Sequence, residues 1–218
     1  MRRWRPIGLA IVLAIVAAGV ATYLLYKNAA IPEATEQATP TQRAVLYEED
    51  PADRNGKQYQ GSALWRTEKA SSGTGPGSER AVRCDVEIPE RQLAVTLWLR
   101  RNADLALPAS HTVEIMFKLP ADFPFGGILN MPGLLMNQDD RARGAALSGL
   151  SVKVQSGFFL VGLSSVDTDK QRNIQLLRER PWLHIPIVYN TGRRAIIAVE
   201  KGDPGERAFK EAFAAWGQ

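Results

Sequence analysis

The side chains best suited to catalysis or metal binding in this chain of 218 residues are two histidines, His111 and His184, and one cysteine, Cys84. A histidine can act as the base of a hydrolase when a serine and an acidic residue complete the site. No GxSxG motif marks such a serine, and the closest segment, around Ser148 and Ser151, does not match. A hydrolase using His111 or His184, with an unassigned serine and acidic residue, is therefore only the alternative hypothesis.

These three residues do not predict a metal or redox site. Structural zinc sites take several Cys or His ligands at short spacings, which one cysteine and two distant histidines do not provide. Cys84 alternates with Val82 and Val86, a pattern that turns its side chain toward a core and is typical of a small buried hydrophobic residue. The sequence thus predicts no catalytic residue, no metal and no cofactor.

Two glycine-rich segments could contact a ligand. Residues 73–77 (GTGPG) do not lead into a helix and are typical of a flexible loop, so dinucleotide binding is not predicted. Residues 123–144 (FPFGGILNMPGLLMNQDDRARG) have turn signals around short apolar runs and lack the Gly-Lys-Ser/Thr of a phosphate loop. Three hypotheses remain for them: a strand with a bend, the rim of a ligand or partner site, and a membrane contact. The candidate rim residues are Phe125, Gly126, Gly127, Met131 and Met136.

The net charge of +4 does not indicate nucleic-acid binding. Three arginines, Arg2, Arg3 and Arg5, precede an uncharged segment, and the rest of the chain has 27 − 3 = 24 basic against 23 acidic residues. The basic character is thus concentrated at the N-terminus, where it acts as a topology signal instead of a binding surface.

Residues 7–26 form an apolar run of 20 residues, about 30 Å long as a helix, which matches the hydrocarbon core of a bilayer. The preceding arginines predict that residues 1–6 are cytoplasmic and that the remainder is exported. Small residues at 19–21 leave cleavage by signal peptidase as the alternative to a permanent anchor. Residues 27–43 are predicted to be a linker. The chain is therefore predicted to be a single-pass protein of the bacterial inner membrane with a periplasmic C-terminal domain.

Residues 44–218 are predicted to form a mainly β, antiparallel, β-sandwich-like domain. Apolar and polar residues alternate in the segments AVRCDVEI and LAVTLWL, as expected of half-buried strands. If Ile88 faces Leu93 across the intervening turn, every apolar residue of one segment meets an apolar residue of the other. The same register places Arg83 opposite Trp98 on the solvent-facing side.

Two helices complete the predicted domain. The segment DTDKQRNIQLLRERP has Asp167 and Asp169 as capping candidates and ends at Pro181. The segment DPGERAFKEAFAAW is predicted to start at a capping Asp203. Its three aromatic residues recur at helical spacing and form one stripe that must pack on the domain or on a partner. They are Phe209, Phe213 and Trp216.

The motifs DVEIPERQL, SHTVEIMFKLP, FGGILNMPGLLM and VDTDKQRNIQLLRERPW, with the segment IVYNTGRRAIIAVEKGDPGERAF, resemble a group of uncharacterised single-span exported proteins of alphaproteobacteria. The order of these segments is also similar to that of exported proteins of the invasion-associated locus B family. The paired cysteines of that family are absent here, so its disulfide is not expected. The resemblance implies a β-domain of the cell envelope and carries over no site residue.

Together these features predict a binding or assembly module of the cell envelope that has no catalytic activity. Its partners would be the membrane, through residues 7–26, and a protein of the envelope.

Overall fold

The computed structural model describes residues 41–69 and 80–218. Within these residues the chain is mainly β, with twelve strands and two α-helices, which confirms the predicted antiparallel β class. The strands are β1 (Gln42–Asp50), β2 (Asp53–Lys69), β3 (Arg80–Ile88), β4 (Leu93–Arg101), β5 (Ala109–Lys118), β6 (Ile128–Asn130), β7 (Leu135–Asn137), β8 (Ala145–Ala146), β9 (Gly149–Gln155), β10 (Phe158–Ser164), β11 (Trp182–Tyr189) and β12 (Arg194–Glu200). The helices are α1 (Asp167–Glu179) and α2 (Gly202–Ala215).

The described strands belong to one antiparallel sheet in the order β8-β7-β11-β12-β1-β2-β3-β4-β5-β10-β9, and β6 also pairs with β11. Most of the middle of the sheet consists of sequential hairpins, whereas β12 returns from the far end of the sequence to pair with β1. β1 begins at Gln42, two residues before the predicted start of the domain. The predicted membrane segment and most of the linker lie outside the described residues.

The sheet curls until its two ends approach each other. The Lys153 ammonium group on β9 donates a hydrogen bond of 2.7 Å to the carbonyl oxygen of Ile128 on β6, which is paired near the other end. Only Leu147 and Ser148 separate β8 from β9 along the chain, although these strands stand at opposite ends of the sheet. The curl gives the sheet an inner face that holds the core and an outer face toward solvent.

The hairpin of β3 and β4 has the predicted register. Ile88 pairs with Leu93, and the alternating residues of both strands are buried along the inner face. On the outer face, the Arg83 guanidinium lies 5.0 Å from the centre of the Trp98 ring. A slip of one residue would exchange the two faces and bury the charges, which is why the alternation alone fixes this pairing.

Residues 123–144 form a strand with a bend, as one of the three hypotheses predicted. β6 and β7 pair with the two ends of β11, so the middle of that strand, around Pro186, has no described strand on this side. Proline has no backbone N–H group to donate, and this gap accommodates it. Pro186 is therefore accommodated inside the sheet, where it pairs with Ile196 on β12.

Helix α2 packs its aromatic stripe into the core. Phe209 lies 5.5 Å from Trp65 between ring centres, and the Trp216 indole N–H donates a 2.8 Å hydrogen bond to the Arg80 carbonyl. Phe209, Phe213 and Trp216 are all buried, so the stripe belongs to the fold.

The predicted helix caps were wrong. Helix α2 begins at Gly202 with Lys201 in the capping position, and Asp203 lies inside the first turn. Helix α1 begins at Asp167 after Val166, and neither helix has a side-chain capping hydrogen bond. The acidic residues still lie in the first turns, where the positive end of the helix dipole favours them.

Lys201, directly before α2, connects this helix to the end of α1 by side-chain hydrogen bonds. Its ammonium group is fully buried and donates to the carbonyls of Leu177, Arg178 and Arg180 at 2.8, 3.2 and 3.0 Å. These carbonyls at the end of α1 have no partner within the helix, and a cation there is also favoured by the dipole. Burial lowers the pKa of Lys201 to about 8.

Candidate functional site

A groove runs across the outer face of β1, β12 and β11. It consists of two adjoining cavities of about 700 and 590 Å³, which share four lining residues. The shared residues are Tyr47, Asn55, Gly56 and Ile196. Each cavity is in the size range of a ligand site, and together they offer an extended surface for a segment of a partner.

The β1–β2 hairpin forms one wall of the groove because the end of this hairpin is bent. The pairing register shifts between Glu48 and Asp50, which marks a bulge. Gly56 has φ of +67°, and a Cβ at this position would lie 2.4 Å from the Glu48 carbonyl oxygen. Only glycine avoids both the backbone strain and the overlap, so Gly56 holds the hairpin end in this position.

The larger cavity has an apolar floor on β11 and β12. Pro186, Val188 and Ile196 line it, and Pro132 from the bend between β6 and β7 contributes a further apolar surface. The Ile196 residue is 39% exposed in the middle of this floor. A partner that removes this apolar surface from water would gain binding free energy.

The smaller cavity is polar. The Tyr47 hydroxyl donates a 2.9 Å hydrogen bond to Asp140, and the Arg141 guanidinium donates one of 3.1 Å to Gln58. Asp139 stabilises the turn before Arg141 by accepting from the backbone N–H groups of Arg141 and Ala142. These contacts hold residues 138–142 as the second wall of the groove.

The Arg194 side chain at the rim pairs with Glu49 and is 75% exposed. Charges of both signs therefore surround the apolar floor. This composition resembles the polar rim around the buried centre of a protein interface.

His184 lies below the polar end of the groove and is buried. Its Nδ1 atom contacts the side-chain amide of Asn137, whereas Nε2 has no hydrogen-bond partner among the described residues. Burial lowers the pKa of His184, and the backbone of Asp139 with the nearby carboxylates acts in the opposite direction. No described hydrogen bond connects this histidine to a serine or a carboxylate.

His111 is a core residue. It is 1% exposed on the inner face of β5, and its ring centre lies 5.2 Å from that of Trp216. Nδ1 lies 3.2 Å from the Ser110 hydroxyl, and Nε2 lies 3.1 Å from the Gln218 side-chain oxygen. Burial lowers the pKa of His111 to about 4, which keeps the ring neutral near pH 7. The neutral ring packs under helix α2 and has no described hydrogen bond to a carboxylate.

Cys84 also faces the core. It is 1% exposed between β2 and β4, and burial raises the pKa of its thiol well above the usual value. A reactive cysteine needs an accessible thiolate, which this environment disfavours. The prediction of a small buried hydrophobic side chain is confirmed.

The five predicted rim residues occupy three different environments. Met131 and Met136 are 0% and 1% exposed, so the prediction is wrong for them: both are core residues that cannot contact a partner. Gly126 and Gly127 line a separate cavity of about 240 Å³ and have φ of 72° and 121°. Phe125 is half-buried, and none of the five lines the groove on the outer face.

Phe125 instead belongs to an aromatic enclosure around Arg91. The Arg91 guanidinium lies 5.0 to 5.1 Å from the ring centres of Phe125, Phe123 and Tyr59. Attraction between a cation and the faces of aromatic rings stabilises such an arrangement, and more strongly where water is excluded. The short turn that carries Arg91 is thereby attached to the segment that precedes β6.

Arg91 also forms an ion pair with the buried Glu48 on β1. Nη2 lies 3.2 Å from the carboxylate, whose side chain is 2% exposed, and the Tyr189 hydroxyl donates a 2.7 Å hydrogen bond to the same carboxylate. Burial, followed by this hydrogen bond, raises the pKa of Tyr189. The network joins β1, β11 and the turn between β3 and β4, and its Glu48 also lines the groove. Sequence analysis missed it, because no local pattern pairs residues 48, 91 and 189.

Two absences concern residues 41–69 and 80–218 alone. No group of three or more His, Cys, Asp or Glu side chains there is arranged to hold a metal ion. No helix in the same part of the chain has both the length and the apolar character needed to cross a bilayer.

Comparisons of this chain with protein-family models, with curated proteins and with solved structures give no match. The class of protein is therefore defined by its own architecture. It is a mainly β protein with a curled antiparallel sheet, an aromatic helix packed into its core and an open groove on its outer face.

Proposed function

We propose that this chain is a membrane-anchored module of the bacterial cell envelope whose periplasmic β-domain binds a partner without catalysing a reaction. The apolar run of residues 7–26 and the three arginines before it support the anchor and its orientation. The linker of residues 27–43 would hold the domain at a distance from the bilayer surface. We further propose that the curl of the sheet makes the domain sandwich-like, with inner faces opposed across the core.

One observation carries the binding function: the groove keeps apolar residues accessible between two walls that internal contacts hold in place. Ile196 on the floor is 39% exposed, while Asp140 and Arg141 in one wall are fixed by hydrogen bonds to Tyr47 and Gln58. A site formed before binding lowers the entropy cost of association. The mixed rim charges favour a protein or peptide partner that carries both apolar and charged side chains.

The alternative, a periplasmic hydrolase using His111 or His184, has less support. A catalytic histidine must reach the nucleophile and an orienting carboxylate from an accessible site. His111 reaches Ser110 from within the core, and His184 reaches Asn137. Among the described contacts, neither histidine joins a serine to a carboxylate. The groove has more features of a binding surface than of an active site.

The proposed topology predicts the behaviour of reporter fusions. Alkaline phosphatase attached after Gln218 is expected to be active in a bacterial host, because this enzyme folds only where disulfides form. A fluorescent reporter that requires the cytoplasm should give no signal at the same position. The opposite pattern in the two fusions would reject both the location and the envelope function.

The binding function predicts a site-specific cross-link. A photoreactive residue replacing Ile196 in the full-length chain is expected to give one discrete adduct in intact cells, because this side chain lies on the groove floor. Val166 is the control position, since it is 60% exposed at the start of α1 and does not line the groove.

The adduct is measured by gel mobility and mass spectrometry. Replacing Val188 with Asp in the same chain should reduce the adduct strongly, because it adds a charge to the apolar floor. Equal labelling from positions 196 and 166, or no adduct from position 196 in cells that express the chain, would argue against a partner in the groove.

A further inference from the structure

An apolar patch lies on the outer face of β9, β10 and β5, away from the groove. It consists of Leu150 and Val152 on β9, Phe158 and Leu160 on β10, and Met116 on β5. Val152 pairs with Leu160 and Phe158 pairs with Met116, so these side chains are neighbours on one face. Leu150, Val152 and Met116 are 79%, 58% and 45% exposed, and the two residues of β10 are half-buried. Contiguous exposed apolar side chains are typical of a surface that contacts a partner or a membrane.

We propose that this patch rests on the lipid bilayer in which the chain is anchored, so that the domain contacts the membrane a second time through its own surface. This inference rests on the proposed function, because it requires the anchor of residues 7–26. It assigns the patch to a lipid surface and leaves the groove to the protein partner.

The side chains around the patch have the chemistry of the membrane interface. Tryptophan and the basic residues are favoured at the level of the lipid headgroups, beside apolar side chains that enter the bilayer. Lys118 follows Met116 on the exposed face of β5, and Trp98 lies on the neighbouring strand β4. The carboxylate of Glu114, which is opposite Trp98 in the register, forms an ion pair with Arg100. The acidic group beside the patch is thereby neutralised.

The linker allows the anchor and the patch to reach the same bilayer. Residues 27–41 separate the predicted anchor from the first strand and, as a coil, would span about 20 Å. The sheet register leads from Gln42 at the start of β1, across β2, β3 and β4, to Phe117 beside Met116. Four strand spacings of about 4.8 Å place these two ends about 19 Å apart along the sheet. The patch is therefore held near the bilayer at a high effective concentration, which favours a contact that would be weak for a free domain.

The shape of the patch favours a lipid surface over a second copy of the chain. The outer face of a curled sheet is convex, and two convex surfaces touch over a small area, whereas a stable protein interface needs roughly 800 Å² from each partner. β10 is already paired with β5 and with β9, so the patch offers apolar side chains and no backbone groups from its central strand. Burial of such side chains is not directional and does not require a complementary partner surface.

The position of the patch leaves the groove accessible. In the sheet order, β2, β3 and β4 separate the patch strands from β1, and β7 and β8 lie between β11 and the other end of the curl. The patch and the groove are thus on different sides of the domain. A domain that rests on the bilayer through the patch would present its groove away from the lipid.

Fluorescence quenching by lipids tests this contact in the full-length chain. The chain is reconstituted in vesicles of phosphatidylethanolamine and phosphatidylglycerol with an environment-sensitive fluorophore on Val152→Cys. The quencher is a lipid with a spin label on its acyl chain near the headgroup. The matched position is Ile196→Cys, an exposed apolar residue on the outer face of the groove strands. Quenching at position 152 is expected to be at least about twofold stronger than at position 196, because an interfacial contact lies about 5–10 Å into the headgroup and acyl boundary.

Two controls accompany the measurement. The parent chain, with only the buried Cys84, should take up no fluorophore. Adding Leu150→Asp and Met116→Asp to the labelled Val152→Cys chain should reduce the quenching strongly, because both changes introduce a charge into the patch. Both positions are exposed, so circular dichroism of this variant should match that of the parent.

Three results would overturn the proposal. Equal quenching at positions 152 and 196 would show that the patch has no preferred contact with lipid. An apolar environment at position 152 that is not quenched, and that disappears when the chain is diluted with lipid, would show that a second copy covers the patch. Extraction of the chain from the vesicles by alkaline carbonate would reject the anchor, and this inference with it. A chain that resists extraction but shows no quenching at position 152 would reject the patch contact alone and leave the proposed function in place.

Discussion

Replacing Arg91 with methionine is expected to lower the free energy of unfolding by about 3 to 5 kcal/mol, because it leaves the Glu48 carboxylate buried without its counter-ion. The Glu48 side chain is 2% exposed and that of Arg91 is 14% exposed, so water cannot replace the lost contacts. The guanidinium also loses its three aromatic neighbours. Urea denaturation of residues 39–218, which form one compact unit, measures the difference between the variant and the parent.

Two comparisons identify the cause of this loss. Adding Glu48→Gln to Arg91→Met removes the unpaired charge and should recover part of the stability. Arg43→Met disrupts an ion pair with Glu200 whose side chains are 64% and 29% exposed, and should cost less than about 1 kcal/mol. If Arg91→Met costs no more than Arg43→Met, the buried network does not stabilise the fold.

Deleting residues 203–218 is expected to unfold or aggregate the domain. The deletion removes three buried aromatic side chains, each of which contributes on the order of 2 to 3 kcal/mol, a large share of a typical domain's stability. It also exposes the inner-face residues Trp65 and His111 that the helix covers. Thermal melting followed by circular dichroism, with light scattering for aggregation, measures the outcome.

A point variant gives the same test without truncation. Phe213→Ala should cost about 3 to 5 kcal/mol, because it leaves a cavity where a side chain is 1% exposed. Lys210→Ala on the exposed side of the same helix should change stability by less than about 0.5 kcal/mol. A truncated domain that melts cooperatively near the parent temperature would show that the helix is dispensable for folding.

The strands that are adjacent in sequence could be predicted because their pairing depends on local alternation. Ile88 opposite Leu93 follows from the period of two and the short turn between them. The stripe of helix α2 follows in the same way from helical spacing, and so does its need for burial. The helix caps were wrong because the residues before the helices, Val166 and Lys201, are in the capping positions, so that Asp167 and Asp203 lie within the first turns.

The sequence by itself determined the mainly β class, the hairpin register, the inward direction of Cys84 and the aromatic stripe of helix α2, because each depends on residues close together in the chain. Only the tertiary structure decided the groove, the Arg91–Glu48 network and the burial of Met131 and Met136. These features join segments more than forty residues apart, such as β1 with β12. Alternation gives the faces of a strand, but it does not specify which distant strand lies beside it.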